Sequence, residues 1–197
     1  QMPYLKIFSN YQYPNNHIFL SLVLSFLLKT FGLKEWLLRM PLLICGMVSI
    51  CQAYFLGRRL SSNSTVGLFT AFLMTICEKH IFYSTNARGY LVIMVLALIV
   101  VTCLLNRLEG HSFKAKKLSN RISGGGAFLG WVGIWLLGTW TVPTFLFFEF
   151  SVAIFIVGLL LAEKIFPTFQ KKYLLLPLAS CVAGSIGFYL QYFVLID

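Results

Sequence analysis

Long apolar stretches separated by short basic loops constrain the fold of this chain more than any other feature of its sequence. Six stretches follow one another along residues 36–196: Trp36–Leu56, Val66–Cys77, Tyr90–Leu105, Ala127–Val142, Thr144–Ala162 and Tyr173–Ile196. A helix that crosses a membrane needs about 20 mostly apolar residues, with a range of about 17–25. The second stretch spans only with help from its flanks, and the third qualifies when it is extended back to Arg88. The pattern predicts an all-α, polytopic transmembrane helical bundle with about six membrane helices.

The charge composition supports an integral membrane protein. Only 11% of the residues are charged, against about 25% in soluble domains. The net charge of +10 comes mainly from Lys and Arg between the apolar stretches, so we attribute it to membrane topology and lipid headgroups and expect no nucleic-acid partner. The five cysteines lie in or at the ends of apolar stretches without a CxxC pair, which favours small buried side chains over disulfides or metal ligands.

The segment Ile18–Phe31 is apolar but too short to span comfortably, and it contains Ser21 and Ser25. This pattern predicts an interfacial helix that lies on the membrane surface and ends at Gly32. Residues 1–35 would then form an external loop and this helix, and together with the membrane helices they would belong to one domain covering 1–197.

The positive-inside rule predicts the orientation. One alternate set of loops has ten Lys and Arg residues and the other has six, which together make the 16 in the chain. The densest basic loop is Arg107–Arg121, and we place it in the cytoplasm. Residues 1–35 and 78–88 then lie on the external face.

Two polar clusters share this external face: "YQYPNNH" at residues 11–17, and Glu78–Tyr90. Ionisable groups at membrane depth are functional candidates. For Tyr83 and Tyr90, a role as ordinary anchors at the membrane–water interface explains the sequence as well as a functional role does. Arg88 lies on the side where the positive-inside rule disfavours a cation, so phosphate or carboxylate is the partner that its fork geometry suits, and a snorkelling Arg without ligand is the alternative.

The other polar residues give weaker signals. His17 follows Asn16 at the start of the predicted interfacial helix, where capping and turn formation explain both residues as well as function does. The sequence has no HxH or HExxH motif and no carboxylate cluster, so we predict no metal site. No Ser-His-Asp arrangement can be assembled from it either.

Two motifs in order resemble a known family. The segment "PNNHIFLSLVLSFLLKTFGLKEWLLRMPLLICGMVSICQAYFLGRRL" resembles the "NHP…L…FG…E…LRLP…G…LGRRL" pattern of the polytopic GT-C glycosyltransferases. The segment "HIFYSTNARGYLVIMVLALI" resembles their "YSQEARxYxL" segment. The family is the dolichyl-phosphate-mannose-protein mannosyltransferase-like group of the GT-C superfamily, and the close matches cover about residues 14–106.

The resemblance implies a multi-pass glycosyltransferase of the cell (plasma) membrane. Such an enzyme transfers a sugar from a polyprenyl-phosphate donor to an acceptor on the external face, with membrane lipids as its surroundings. By resemblance, the substrate-binding and lipid-phosphate-binding residues are Arg88, Tyr83, Asn86, Tyr90, Asn16 and His17. Arg88 would hold the donor phosphate, and Asn86 stands where family members often have Glu.

The resemblance also implies where the catalytic acid lies. In the family it is an Asp in the first external loop, soon after the first membrane helix. The first Asp of this chain is Asp197, so we expect the catalytic Asp upstream and no catalytic residue within the chain, as in a piece lacking the first helix and the C-terminal part. No cofactor is expected, and dependence on a divalent metal stays open.

Two other functions remain. A non-catalytic membrane scaffold or lipid-binding subunit would keep this fold without the acid. A lipid transporter or flippase is the third, although transporters often have broken helices and charges at the bilayer midplane, and the predicted spans contain almost no charge.

Overall fold

The computed structural model describes residues 17–108, 124–162 and 172–194, and within these ranges all regular structure is helical. This confirms the all-α prediction. The helices are α1 Ile18–Phe31, α2 Glu35–Ser61, α3 Ser64–Ile76, α4 Glu78–Thr85, α5 Tyr90–Leu108, α6 Gly124–Thr141, α7 Phe145–Ala162 and α8 Lys172–Val194.

The chain forms two compact units, residues 1–99 and 100–197, with the boundary inside α5. The first unit is built on an antiparallel pair, α2 and α3, that packs through glycines. A Cβ atom on Gly57 would lie 2.5 Å from Oγ1 of Thr70, and one on Gly67 would lie 2.7 Å from the carbonyl oxygen of Tyr54. Small residues at these positions allow the two backbones to approach closely, as they do at helix interfaces in membranes.

Local signals end α2 and begin α3. Ser62 adopts a left-handed conformation with φ 56°, which stops α2, and the Asn63 side chain accepts a 2.8 Å hydrogen bond from the backbone N–H of Thr65. Asn at the N-cap satisfies a backbone donor that has no partner within the helix. The two helices are therefore joined by a tight turn.

Helix α1 has the bounds that the sequence predicted, and Gly32 ends it. Gly32 has φ 78°, and its N–H donates to the carbonyl oxygen of Leu28 at 3.1 Å. The helix has 14 residues and is therefore about 21 Å long, shorter than the roughly 30 Å hydrocarbon core of a bilayer. Leu20 of α1 packs with Leu42 of α2 and Leu91 of α5 in the core of the unit.

The second unit places Trp135 of α6 at its centre. Trp135 is fully buried, and its indole N–H donates to Oγ of Ser180 on α8 at 3.1 Å. Its ring centroid lies 6.0 Å from that of Phe145 and 6.3 Å from that of Phe148, both on α7. One aromatic side chain thus contacts both neighbouring helices.

Three of the described helices, α2, α5 and α7, are long and apolar enough to cross a membrane. Helices α3 and α4 meet the criterion only as a pair bent by 61°, and residues 174–190 of α8 form a shorter apolar helix. Large apolar side chains such as Phe69, Phe147 and Ile154 are more than half exposed, as expected of surfaces that face lipid. The structure thus supports a membrane protein, while the number of six spans stays a prediction.

Candidate functional site

Helix α4, which follows the bend, is attached to α2 by a buried polar contact. Oγ of Ser49 on α2 and Nε2 of His80 on α4 lie 2.8 Å apart, and the two residues are 0% and 7% exposed. The Ser49 hydroxyl donates its proton to the carbonyl oxygen of Gly46 at 2.7 Å. The geometry therefore fits a His80 tautomer whose Nε2–H donates to Ser49.

Gly46 allows this close packing. A Cβ atom there would lie 3.1 Å from Cβ of Ser84 on α4 and 3.4 Å from Cδ1 of Leu91 on α5. His80 and Ser84 are one helical turn apart and form the buried side of α4. With that side fixed against α2, the neighbouring Tyr83 is directed towards the start of α5.

Three predicted site residues come into contact there. The ring centroids of Tyr83 and Tyr90 lie 4.8 Å apart, with the planes tilted by 52°. The ring of His17, at the start of α1, meets Tyr90 edge to face with a centroid distance of 5.6 Å. We call His17, Tyr83 and Tyr90 the aromatic cluster; all three side chains are partly buried, and their spacings are those of favourable aromatic pairs.

The connection from α4 to α5 carries the remaining predicted residues. The backbone N–H of Asn86 donates to Phe82 at 3.1 Å and ends α4, and the N–H of Arg88 donates to the carbonyl oxygen of Asn86 at 2.6 Å. This bond closes a tight three-residue turn. Asn86 is partly buried and Arg88 is exposed.

Arg88 lies beside the aromatic cluster by virtue of the chain itself. Two residues of extended chain span at most about 7 Å, so the Cα atoms of Arg88 and Tyr90 are within that distance. No ion-pair partner for the Arg88 guanidinium occurs among the residues that the structure describes. The exposed side chain can thus contact a ligand.

The structure thus brings some of the predicted site residues together. His17, Tyr83 and Tyr90 are brought together, with Asn86 and Arg88 in the adjoining turn, whereas Asn16 lies outside the described residues. Such an arrangement can bind an anion through the guanidinium and present aromatic surfaces and hydroxyl groups to a polar ligand. Within residues 17–108, 124–162 and 172–194, no group of three His, Cys, Asp or Glu residues could hold a metal ion.

Two polar features escaped the sequence analysis. The Ser49–His80 contact joins residues 31 positions apart, and nothing in the sequence pairs a serine in a long apolar stretch with a histidine in a polar one. Glu149 is the second: it lies in α7 and is only 1% exposed. The sequence does contain a signal for Glu149, because a single carboxylate inside an otherwise apolar membrane helix is rare and is a functional candidate.

Comparison of the chain with protein-family models, curated proteins and solved structures gave no significant match.

Proposed function

We propose that the protein takes part in the transfer of a sugar from a polyprenyl-phosphate donor to an acceptor on the external face of the membrane. The observation that carries the proposal is the contact between His17 and Tyr90. This contact joins the two sequence motifs that resemble the GT-C glycosyltransferases, through residues that lie 73 positions apart in the chain. The enzyme class itself comes from that resemblance.

Arg88 has the leading role in this mechanism. A lipid phosphate is presented at the headgroup level, and the guanidinium can hold two of its oxygens with parallel hydrogen bonds. As the glycosyl bond breaks, negative charge grows on the departing phosphate, and a cation already in place stabilises that charge. Binding therefore precedes and assists bond cleavage at the same group.

The neighbouring residues would shape the sugar pocket. Tyr83 and Tyr90 offer ring faces and hydroxyl groups, and Asn86 offers an amide that can bind a sugar hydroxyl but cannot act as a base. The general base that deprotonates the acceptor hydroxyl is, by resemblance, an Asp of the first external loop. His17 lies at the start of α1 and contacts Tyr90.

The test is donor binding and transfer by the full-length protein with substitutions at Arg88. Hydrogen bonds to charged groups contribute about 1.5–3 kcal/mol, so Arg88→Ala should weaken binding of a polyprenyl phosphate ten-fold or more, since about 1.4 kcal/mol is a factor of ten. Transfer should be lost. Arg88→Lys should recover only part of the binding, because an ammonium keeps the charge without the fork.

The control is Arg58→Ala. Arg58 is also exposed but lies near the end of α2, on the predicted cytoplasmic side, so this variant should bind and transfer like the wild type. If Arg88→Ala kept wild-type affinity and turnover, Arg88 would be an interface anchor and the phosphate site would be wrong. Donor binding without transfer by the wild type would favour the lipid-binding subunit.

A lipid transporter is the second candidate, because two observations favour it. Helices α3 and α4 are bent by 61° at their junction, and α7 contains the buried Glu149. Broken helices and intramembrane carboxyl groups are typical of transporters. Movement of a fluorescent polyprenyl-phosphate analogue across liposomes, with no sugar transfer, would favour this function.

A further inference from the structure

Glu149 occupies an enclosed position in the second unit. It lies in the first third of α7, and only 1% of its surface is exposed. A Cβ atom on Gly184 of α8 would lie 2.7 Å from Oε1 of Glu149 and 2.6 Å from Cβ of Trp135 on α6. The carboxyl group thus fills the space that the glycine leaves between three helices.

Hydrogen bonding leaves the carboxyl group largely unsatisfied. Neither Oε1 nor Oε2 has a hydrogen-bond partner of good geometry among the described residues, although the hydroxyl of Ser185 on α8 is close enough to interact with it. An ionised carboxylate that loses its water without gaining a partner is strongly disfavoured, and such a group takes up a proton instead. The neutral acid is the form that this packing accommodates.

Neither α6 nor α7 presents a basic group to Glu149. The sequence of α6 contains no charged residue, and Glu149 is the one charged residue of α7. On α8 the titratable group that interacts with it is the thiol of Cys181. The basic residue of α5, Arg107, lies against α6, with its guanidinium 5.8 Å from the centroid of the Trp131 ring.

We propose that Glu149 is a proton-binding site within the second unit: the packing of α6, α7 and α8 holds it as the neutral acid, and it releases its proton to water only when these helices separate. The proposal is independent of the sugar-transfer function. It predicts a coupling between the protonation of Glu149 and the packing of the three helices, because the packed helices accommodate the neutral acid and separation of the helices allows it to ionise.

The first experiment compares the pH dependence of stability in lipid nanodiscs or micelles for the full-length wild type and for Glu149→Gln. Unfolding exposes Glu149 to water, where a glutamate ionises above about pH 4.3. The folded state then binds one more proton than the unfolded state, so wild-type stability should fall as the pH rises from about 5. Glutamine has nearly the same side-chain shape as glutamate but does not titrate. Glu149→Gln should therefore lack the part of the pH dependence that comes from Glu149, and it should be more stable than the wild type at alkaline pH.

The control is Glu35→Gln, because Glu35 is an exposed carboxylate that pairs with Arg39 on α2. This variant should keep the wild-type decline with pH. Identical pH slopes for the wild type and Glu149→Gln would overturn the proposal, since all other titrating groups are common to the two proteins.

A second measurement uses dicyclohexylcarbodiimide, an apolar reagent that adds to carboxylic acids in their protonated form. Mass spectrometry of protein treated near neutral pH should find the adduct at Glu149, with less adduct at higher pH and none at this position in Glu149→Gln. If Glu149 of the wild type reacted only at a pH low enough to protonate the exposed Glu35 as well, the Glu149 carboxyl group would be ionised at neutral pH. The proposal would then be wrong.

Discussion

Removal of the Ser49 hydroxyl should destabilise the first unit measurably. In Ser49→Ala, Nε2–H of His80 loses its 2.8 Å partner at a position where His80 is only 7% exposed, and the carbonyl oxygen of Gly46 is the acceptor that remains near the His80 ring. Loss of a typical hydrogen bond costs about 0.5–1.5 kcal/mol, so the free energy of unfolding should fall by about that amount. Reversible unfolding in mixed micelles, titrated with sodium dodecyl sulfate and followed by circular dichroism, measures the difference.

Ser61 provides the matched control on the same helix. Its hydroxyl donates to the carbonyl oxygen of Gly57 at 2.7 Å, as that of Ser49 donates to Gly46. Ser61 is exposed, so water can replace this bond and the 3.2 Å bond that its oxygen accepts from the backbone N–H of Asn63. Ser61→Ala should therefore change stability by no more than about 0.5 kcal/mol. Equal effects of the two substitutions would refute the view that the contact with His80 fixes α4. A double-mutant cycle with His80→Ala should show a coupling energy of at least about 0.5 kcal/mol.

Two further predictions concern packing and topology. Gly184→Ala should destabilise the protein by about 1–3 kcal/mol, because the Cβ of the new alanine would collide with Trp135 and Glu149. Gly158→Ala is the control and should be neutral or stabilising, because no atom lies within 4 Å of the new Cβ. Similar effects of the two substitutions in the same micelle assay would contradict the packing around Glu149. An impermeant thiol reagent added to intact cells should label a cysteine introduced by Lys79→Cys but not one introduced by Lys116→Cys, which lies in the predicted cytoplasmic loop outside the described residues, and labelling of the second would reverse the orientation.

Helices that depend on apolar length could be predicted closely. The prediction for α1 matches the structure at both ends, and the stretch Thr144–Ala162 differs from α7 by one residue at its start. The end of α2 was less predictable: hydropathy falls at Leu56, but the helix continues to Ser61. Arg58 and Arg59 in its last turn favour this extension, since cations stabilise a helix C-terminus.

The polar stretch after Cys77 shows why part of the site could not be predicted. Glu78–Arg88 was expected to be an external connection, but its first eight residues form α4. An isolated helix of that length is marginal in water, so contacts with α2 through His80 and Ser84 must supply its stability. Those contacts depend on Ser49 and Gly46, which lie more than 30 positions earlier in the chain, and no local pattern indicates them.

The two buried polar features differ in whether their hydrogen bonds are satisfied, and that difference separates a structural role from a functional one. Ser49 and His80 satisfy each other, so their burial is compatible with a purely structural contact that positions Tyr83. Glu149 has no hydrogen bond of good geometry among the described residues, although the Ser185 hydroxyl is nearby, and an apolar side chain of similar size would avoid the cost of burying its carboxyl group. An apolar side chain could fill the same space, whereas a carboxyl group can also bind and release a proton. The buried acid is therefore the stronger indication of chemistry in the second unit, just as the aromatic cluster beside Arg88 is in the first.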